Sequence, residues 1–396
     1  MPISERLARL GSGVFARNDE RKAAYASLAA DQGMPPLLDL SLGSTDLQPP
    51  PVAIEAIAAG LGRAESAAYC LHAATLPFRE AAAAWARRRF GVAVDPEREV
   101  LLLVGSQEGT AHLPLAVLNP GDRALLLDPY YPSHMGGLNL ASAEPVLLPL
   151  DAGSGWRPRF EHLDAAAWQT IRLMVLGFPH NPTATTGEQA WLDEAVAKAL
   201  QHGIVLAHDN PYVDLALEGE APALLRHPHW RQCGIEFFSL SKSWCLGGYR
   251  LAFAIGAPWL ITALRQLKGV VDFNQSLALQ AGAVAALEQA PTGRSGSAPP
   301  TASGAMAWPR PWRRWVGRCA APRWRCICGW RCRSRPAPRL GSERFCAALL
   351  EATGVALTPG SGFGPGGEGW LRLALVHPLP ELLAGAERIG AWLQRL

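Results

Sequence analysis

In the stretch FFSLSKSWCLGGYR, residues 237–250, Lys242 stands between Ser239, three residues before it, and Arg250, eight residues after it. An apolar run, Ile235 to Phe238, leads in, and a glycine pair, Gly247 and Gly248, follows. A lysine held beside a buried strand end is desolvated, which lowers its pKa and makes its amine a usable nucleophile. Such a lysine can form a Schiff base with an aldehyde cofactor. A serine and an arginine on the same loop can hold that cofactor's phosphate. The stretch alone fits a surface lysine in a serine-rich loop equally well.

Other residues point to related chemistry. GSQEG at 105–109 follows the run VLLLV and opens a helix, so the free N–H groups around Ser106 and Gln107 favour a phosphate. There is no GxGxxG, and a dinucleotide fold is not indicated. Asp209, in AHDNPY, ends an apolar strand, where a carboxylate is costly unless it meets a cation. Arg372, in GWLRLALVHP, lies on a predicted strand. Its planar guanidinium suits bidentate capture of a carboxylate, although on these residues alone a surface arginine on an edge strand is the default reading.

These residues need elements to place them. Short apolar runs at 100–104, 123–128, 172–177, 204–208, 235–239 and 251–255 read as buried strands. Helical patterns at 76–89, 106–117, 132–141 and 188–201 lie between them. That alternation predicts an α/β fold, a mainly parallel sheet covered by helices on both faces. Such sheets bind ligands at the C-terminal ends of their strands. Ser106, Tyr131, Asn181, Asp209 and Ser239 all fall at or just past predicted strand ends, which points to one shared site.

Together these motifs resemble the class I/II aminotransferases, the fold-type-I enzymes that use pyridoxal 5'-phosphate. The resemblance runs from about residue 35 to 290 and again from about 341 to 396. It implies a seven-stranded sheet and a smaller α+β domain. Residues 1–45 would form an N-terminal arm and part of that small domain, 46–276 the large cofactor-binding domain, and 277–396 the rest of the small domain. It implies that Lys242 carries the cofactor and moves the proton, with Asp209 on the pyridine nitrogen and Tyr131 stacked on the ring as its catalytic partners. Ser106, Gln107, Ser239 and Arg250 match the phosphate positions, and Asn181 and Tyr212 those that reach the 3'-oxygen. Tyr69 matches a tyrosine that reaches the phosphate of the neighbouring subunit in a homodimer. Gly43, Asn181 and Arg372 match the residues that take the substrate's α-carboxylate. Ala252 and Ala74 stand where relatives usually have glycine, and SGFG at 361–364 resembles the alanine/diaminopimelate branch. The implied reaction moves the amino group of an α-amino acid to a 2-oxo acid, with the side-chain specificity open. A pyridoxal-phosphate lyase on the same fold is the alternative chemistry.

Bulk composition is consistent with this reading. A net charge of +3 with 18% charged residues asks for neither nucleic acid nor an anionic membrane. The first residues carry charges throughout and have no signal-peptide pattern. Scattered cysteines at 70, 233, 245 and 346 suit a reducing, cytoplasmic compartment.

Residues 291–341 differ from everything around them. They hold eleven arginines, five of the fourteen tryptophans, four of the eight cysteines, and no Asp, Glu, Lys or His. No helical or strand period survives there, and the cysteine spacing fits no ordinary zinc site. We read the segment as out-of-frame translation between two compensating frameshifts, poorly structured as written. In the shifted frame Arg325–Trp330 can encode a Met-Tyr-Leu-Trp-like strand. A frameshift-damaged, inactive member of the family is therefore a further alternative.

Overall fold

The computed structural model describes residues 3–44, 47–216, 219–290, 327–331 and 337–395. Twelve strands are described: β1 Leu38–Asp39, β2 Val100–Val104, β3 Arg123–Asp128, β4 Glu144–Pro149, β5 Ile171–Leu176, β6 Val205–Asp209, β7 Gly234–Ser239, β8 Leu251–Gly256, β9 Ile327–Arg331, β10 Val355–Ala356, β11 Thr358–Pro359 and β12 Trp370–Ala374. Seven form one sheet in the order β2-β8-β7-β6-β5-β3-β4. Only β8 runs against its neighbours.

The six apolar runs each become a strand of this sheet. Alternate residues feed two cores, one holding Leu102, Leu125 and Met174, the other Leu103, Leu126 and Leu173. A strand buried on both faces must be apolar throughout, which is why the runs were visible. The seventh strand that the resemblance implied is β4, which was not among the apolar runs read from the sequence. Its sequence EPVLLP carries two prolines and a glutamate, which an edge strand tolerates.

The antiparallel β8 has a direct effect on the site. Val104 pairs with Leu251, and Ser239 with Ala252. The beginning of β8 thus lies beside the ends of β2 and β7, and this brings Arg250 to Ser106 and Ser239.

The smaller block is assembled from both ends of the chain. β1 pairs with β10 in parallel, Leu38 opposite Val355. β11, β12 and β9 form an antiparallel sheet. Leu40, Phe345, Leu349, Leu371, Ile389 and Trp392 fill the core of this block.

The helix Leu277–Gln289, expected with the small domain, packs on the helix Pro51–Leu61. A Cβ on Gly282 would lie 2.4 Å from Ile57 Cγ1, and one on Gly60 2.7 Å from Ala278 Cα. Ala283, Ala286 and Leu287 belong to the large core. We propose that the division between the blocks follows Gln289 rather than residue 276.

Within residues 291–341, where the sequence as written shows no strand period, β9 pairs along β12, with Gly329 opposite Arg372 and Trp330 opposite Leu371. Backbone pairing along an open strand edge needs no periodic side-chain pattern. A short helical turn that starts at Ala337 also lies inside the segment, separated by the non-helical Gly341, at φ +76°, from the helix that runs on to Thr353. The expected poor packing of its tryptophans and cysteines lies outside the described residues.

Candidate active site

A cavity of about 280 Å³ opens where the ends of β2, β3, β5, β6 and β7 meet the start of β8. Ser106, Gln107, Tyr131, Asn181, Asp209, Tyr212, Ser239, Lys242, Arg250 and Gly43 all line it. Two expected residues do not. Tyr69 is 85% exposed and packs edge-on against Phe273, their centroids 5.6 Å apart. Arg372 is buried one layer behind the cavity wall and reaches it through Asn181.

At one end, local structure makes an anion cradle. Ser106 and Gln107 open the helix Ser106–Val117, whose first N–H groups have no helical acceptor. Gly105, at φ +78°, turns the chain from β2 into that helix, and a Cβ there would sit 2.2 Å from the Arg250 guanidinium. Only glycine allows this approach. Arg250 itself is left-handed, at φ +56°, a conformation that costs a side-chain-bearing residue about 1–2 kcal/mol. Ser239 caps the short helix Leu240–Ser243, its hydroxyl accepting from the Ser241 N–H at 3.2 Å. That turn carries Lys242, whose Nζ donates to the Gly43 carbonyl.

At the other end, Asp209 closes β6. Its Oδ2 lies 3.0 Å from His134 Nε2, while its Oδ1 is buried with no hydrogen-bond partner among the described residues. A buried carboxylate oxygen left open in this way calls for a cation or a donor. Tyr131 caps the helix Pro132–Leu140, with Pro132 at its first position. Burial pushes the Tyr131 phenol up and Asp209 adds to this, against Arg372 and Arg250. Asn181 Nδ2 donates to the Tyr212 hydroxyl at 3.4 Å.

Arg372 has an aromatic and polar housing. Its Nη1 faces Asn181 Oδ1 at 3.4 Å, and its Nη2 donates to the Ser41 carbonyl and to Thr358 Oγ1 at 3.3 Å. Phe15 and Phe363 each place a ring centroid 5.0 Å from its Cζ. Burial holds the guanidinium below its ordinary pKa, opposed by Tyr212, Tyr131 and Asp39.

The sequence reading missed His134, His180, Ser133 and Ser241, all on the cavity wall. His134 sits three residues past Tyr131, but its link to Asp209 joins the helix Pro132–Leu140 to the end of β6, and no spacing in the sequence encodes that. Burial, with His134 nearby, drives the His180 pKa from 6.5 down to about 3. His180 Nδ1 lies 2.8 Å from Thr183 Oγ1.

These residues fit a flat ligand with a phosphate at one end, a protonated ring nitrogen at the other, and a carbonyl within reach of Lys242. The family described as aminotransferase class I and II matches residues 35–307. LL-diaminopimelate aminotransferases from Desulforudis audaxviator and Nitratidesulfovibrio vulgaris Miyazaki F are 32% and 31% identical to the chain, over 99% and 98% of its length and 98% of theirs. A solved structure of a probable N-succinyldiaminopimelate aminotransferase from Thermus thermophilus is 39% identical, with a TM-score of 0.87 over 96% of this chain and 99% of that one.

Proposed function

From the premise that this chain belongs to the aminotransferase class I and II family, we propose that it transfers the amino group of a diaminopimelate-type amino acid, or an N-acylated form of it, to a 2-oxo acid. That it is an aminotransferase follows from the family. The substrate class is our reading, drawn from the relatives' names and from SGFG at 361–364. The family depends on pyridoxal 5'-phosphate, and we assign its site to the cavity described above. The observation that carries this assignment is Asp209 Oδ1, buried and without a hydrogen-bond partner among the described residues, on a residue of the wall that also holds Lys242.

When bound, the cofactor supplies a carbonyl for the amine and an electron sink for the charge left at the substrate Cα. Ser106, Gln107, Ser239 and Arg250 would hold its phosphate, with Tyr69 added from a second copy of the chain. Asp209, oriented by His134, would keep a proton on the ring nitrogen. Tyr131 would cover the ring, and Asn181 and Tyr212 would bind the 3'-oxygen. Lys242 would hold the cofactor through its carbonyl and, once displaced by the substrate amine, its free amine would take the proton from the substrate Cα and later give it back across the amine nitrogen, acting as base and then acid. Arg372, with Asn181 and the Gly43 backbone, holds the α-carboxylate and so aims the Cα–H bond at Lys242.

We further propose a cytoplasmic homodimer. The compartment is read from the scattered cysteines of the sequence. The dimer is read from the exposed apolar group of Tyr69, Leu71, Val270, Val271 and Phe273. Among the described residues no helix is long and apolar enough to cross a membrane.

The test is amino transfer to 2-oxoglutarate by the purified chain supplied with pyridoxal phosphate. LL-diaminopimelate or its N-succinyl derivative should give the highest kcat/KM, with aspartate and alanine well below. Loss of substrate without glutamate formation would overturn the transferase reading. Equal turnover of alanine would overturn the substrate class.

A further inference from the structure

Gln275 lies in the turn before the helix Leu277–Gln289, and its side chain reaches into the end of the large sheet. It is buried, and its Nε2 donates to two main-chain carbonyls: Leu103 in β2, at 2.9 Å, and Arg250 at the start of β8. The second bond falls on the residue whose backbone is left-handed, a conformation that persists only where surrounding contacts determine it. That backbone turns the guanidinium over Gly105, towards the opening of the helix at Ser106. The Arg250 N–H makes a long bond, to the Gly247 carbonyl at 3.4 Å.

The same turn grips the segment that carries Tyr69. Asn274 Nδ2 donates to the Cys70 carbonyl at 3.0 Å. Gln280 Nε2 donates to the Gln275 carbonyl at 2.7 Å and lies 3.0 Å from Cys70 Sγ. Phe273 packs against Tyr69. A continuous set of contacts therefore runs from the exposed Tyr69 through residues 273–275 to the Arg250 backbone.

We infer that Gln275 is a positioning residue for the phosphate end of the site. By fixing the Arg250 carbonyl it holds the guanidinium over the helix start, and it ties that geometry to the surface segment bearing Tyr69. The inference rests on our reading of Arg250 as a phosphate ligand. A residue that acts only on the phosphate should change affinity for a phosphorylated ligand and leave its dephosphorylated twin alone.

The experiment titrates the full chain, made as apoprotein, with pyridoxal 5'-phosphate and separately with pyridoxal, following the quenching of tryptophan fluorescence. Gln275→Leu and Gln275→Glu, which both lose the amide donor, should each weaken pyridoxal phosphate binding about tenfold, as the loss of one well-placed hydrogen bond implies. Pyridoxal binding should stay unchanged. Arg250→Ala should cause a larger loss of the same phosphate-selective kind, and adding Gln275→Leu to it should cost nothing more. Equal losses for both ligands, or additive losses in the double variant, would show a general packing role and overturn the inference. If Arg250→Ala is phosphate-selective but the Gln275 variants bind normally, the inference alone fails. If Arg250→Ala leaves the ratio of the two affinities unchanged, the phosphate reading fails and takes the inference with it.

Discussion

His134 Nε2 lies 3.0 Å from Asp209 Oδ2, and both side chains are buried. The contact uses one carboxylate oxygen and leaves the other, Oδ1, buried without a hydrogen-bond partner among the described residues. The imidazole thus orients the carboxylate before any ligand arrives, so none of the binding energy need be spent turning it.

Asp209→Ala should therefore still bind pyridoxal phosphate through the phosphate cradle and Lys242, yet lose turnover by orders of magnitude. Absorbance of the bound cofactor and steady-state kinetics separate the two effects. Near-normal turnover would remove Asp209 from its assigned role.

Borohydride reduction of the loaded enzyme should fix the cofactor to the Lys242 peptide, as read by mass spectrometry. The other three lysines are committed elsewhere. Lys22 pairs with Asp19 and Asp39, Lys268 bonds Glu108 and Asp272, and Lys198 lies 5.7 Å over the Trp168 ring. A label on any of them would refute the site.

Arg372→Ala should raise KM for every α-amino acid by a similar factor, because all share the α-carboxylate. A charge-assisted bidentate contact implies a loss of about 10²-fold or more. An effect restricted to acidic substrates would assign the guanidinium to the side chain instead.

His180 gives a pH dependence of stability. Its folded pKa, about 3, lies below its ordinary 6.5, so between these values the unfolded chain binds the extra proton. Stability then rises with pH across this window, is complete above 6.5, and is lost as pH falls below it. Between pH 6.5 and pH 4 the loss should be no more than about 3 kcal/mol. Denaturant melts of His180→Asn should show a flatter slope in that range, and an unchanged slope would rule His180 out as the source.

The gene sequence tests the reading of residues 291–341. Read one frame over, it should give an uninterrupted helix and then a Met-Tyr-Leu-Trp-like strand near Arg325–Trp330. A stop codon in that frame would end the idea.

The large sheet was legible because burial on both faces forces apolar strands, and the cavity-lining residues Ser106, Asp209 and Ser239 because each lies at or just past the end of such a strand. What stayed hidden depends on neighbours in space. Nothing in the order of residues brings His134 to Asp209, or Gln275 to the Arg250 carbonyl. Arg372 could be placed on a strand from its sequence, but not behind Asn181, since that depends on how the two blocks meet. β9 shows no strand period in the sequence as written, and its place is along the edge of β12.

The pairing of Leu38 with Val355 has a consequence for the order of synthesis. A ribosome releases the N-terminal helix Val14–Gln32 first, yet its partners lie near the other terminus, where Asn18 Nδ2 donates to the Leu357 carbonyl and Tyr25 packs with Leu350 and Ala356. Large-block strands can meet as they emerge, whereas the opening helix must wait, its apolar face open to chaperones or to other chains. Any nascent chain that stalls before Val355 would leave β1 with no edge to join. A trigger-factor-like holdase should therefore bind stalled chains through residues 14–40 and let go only when the last sixty or so residues have been translated.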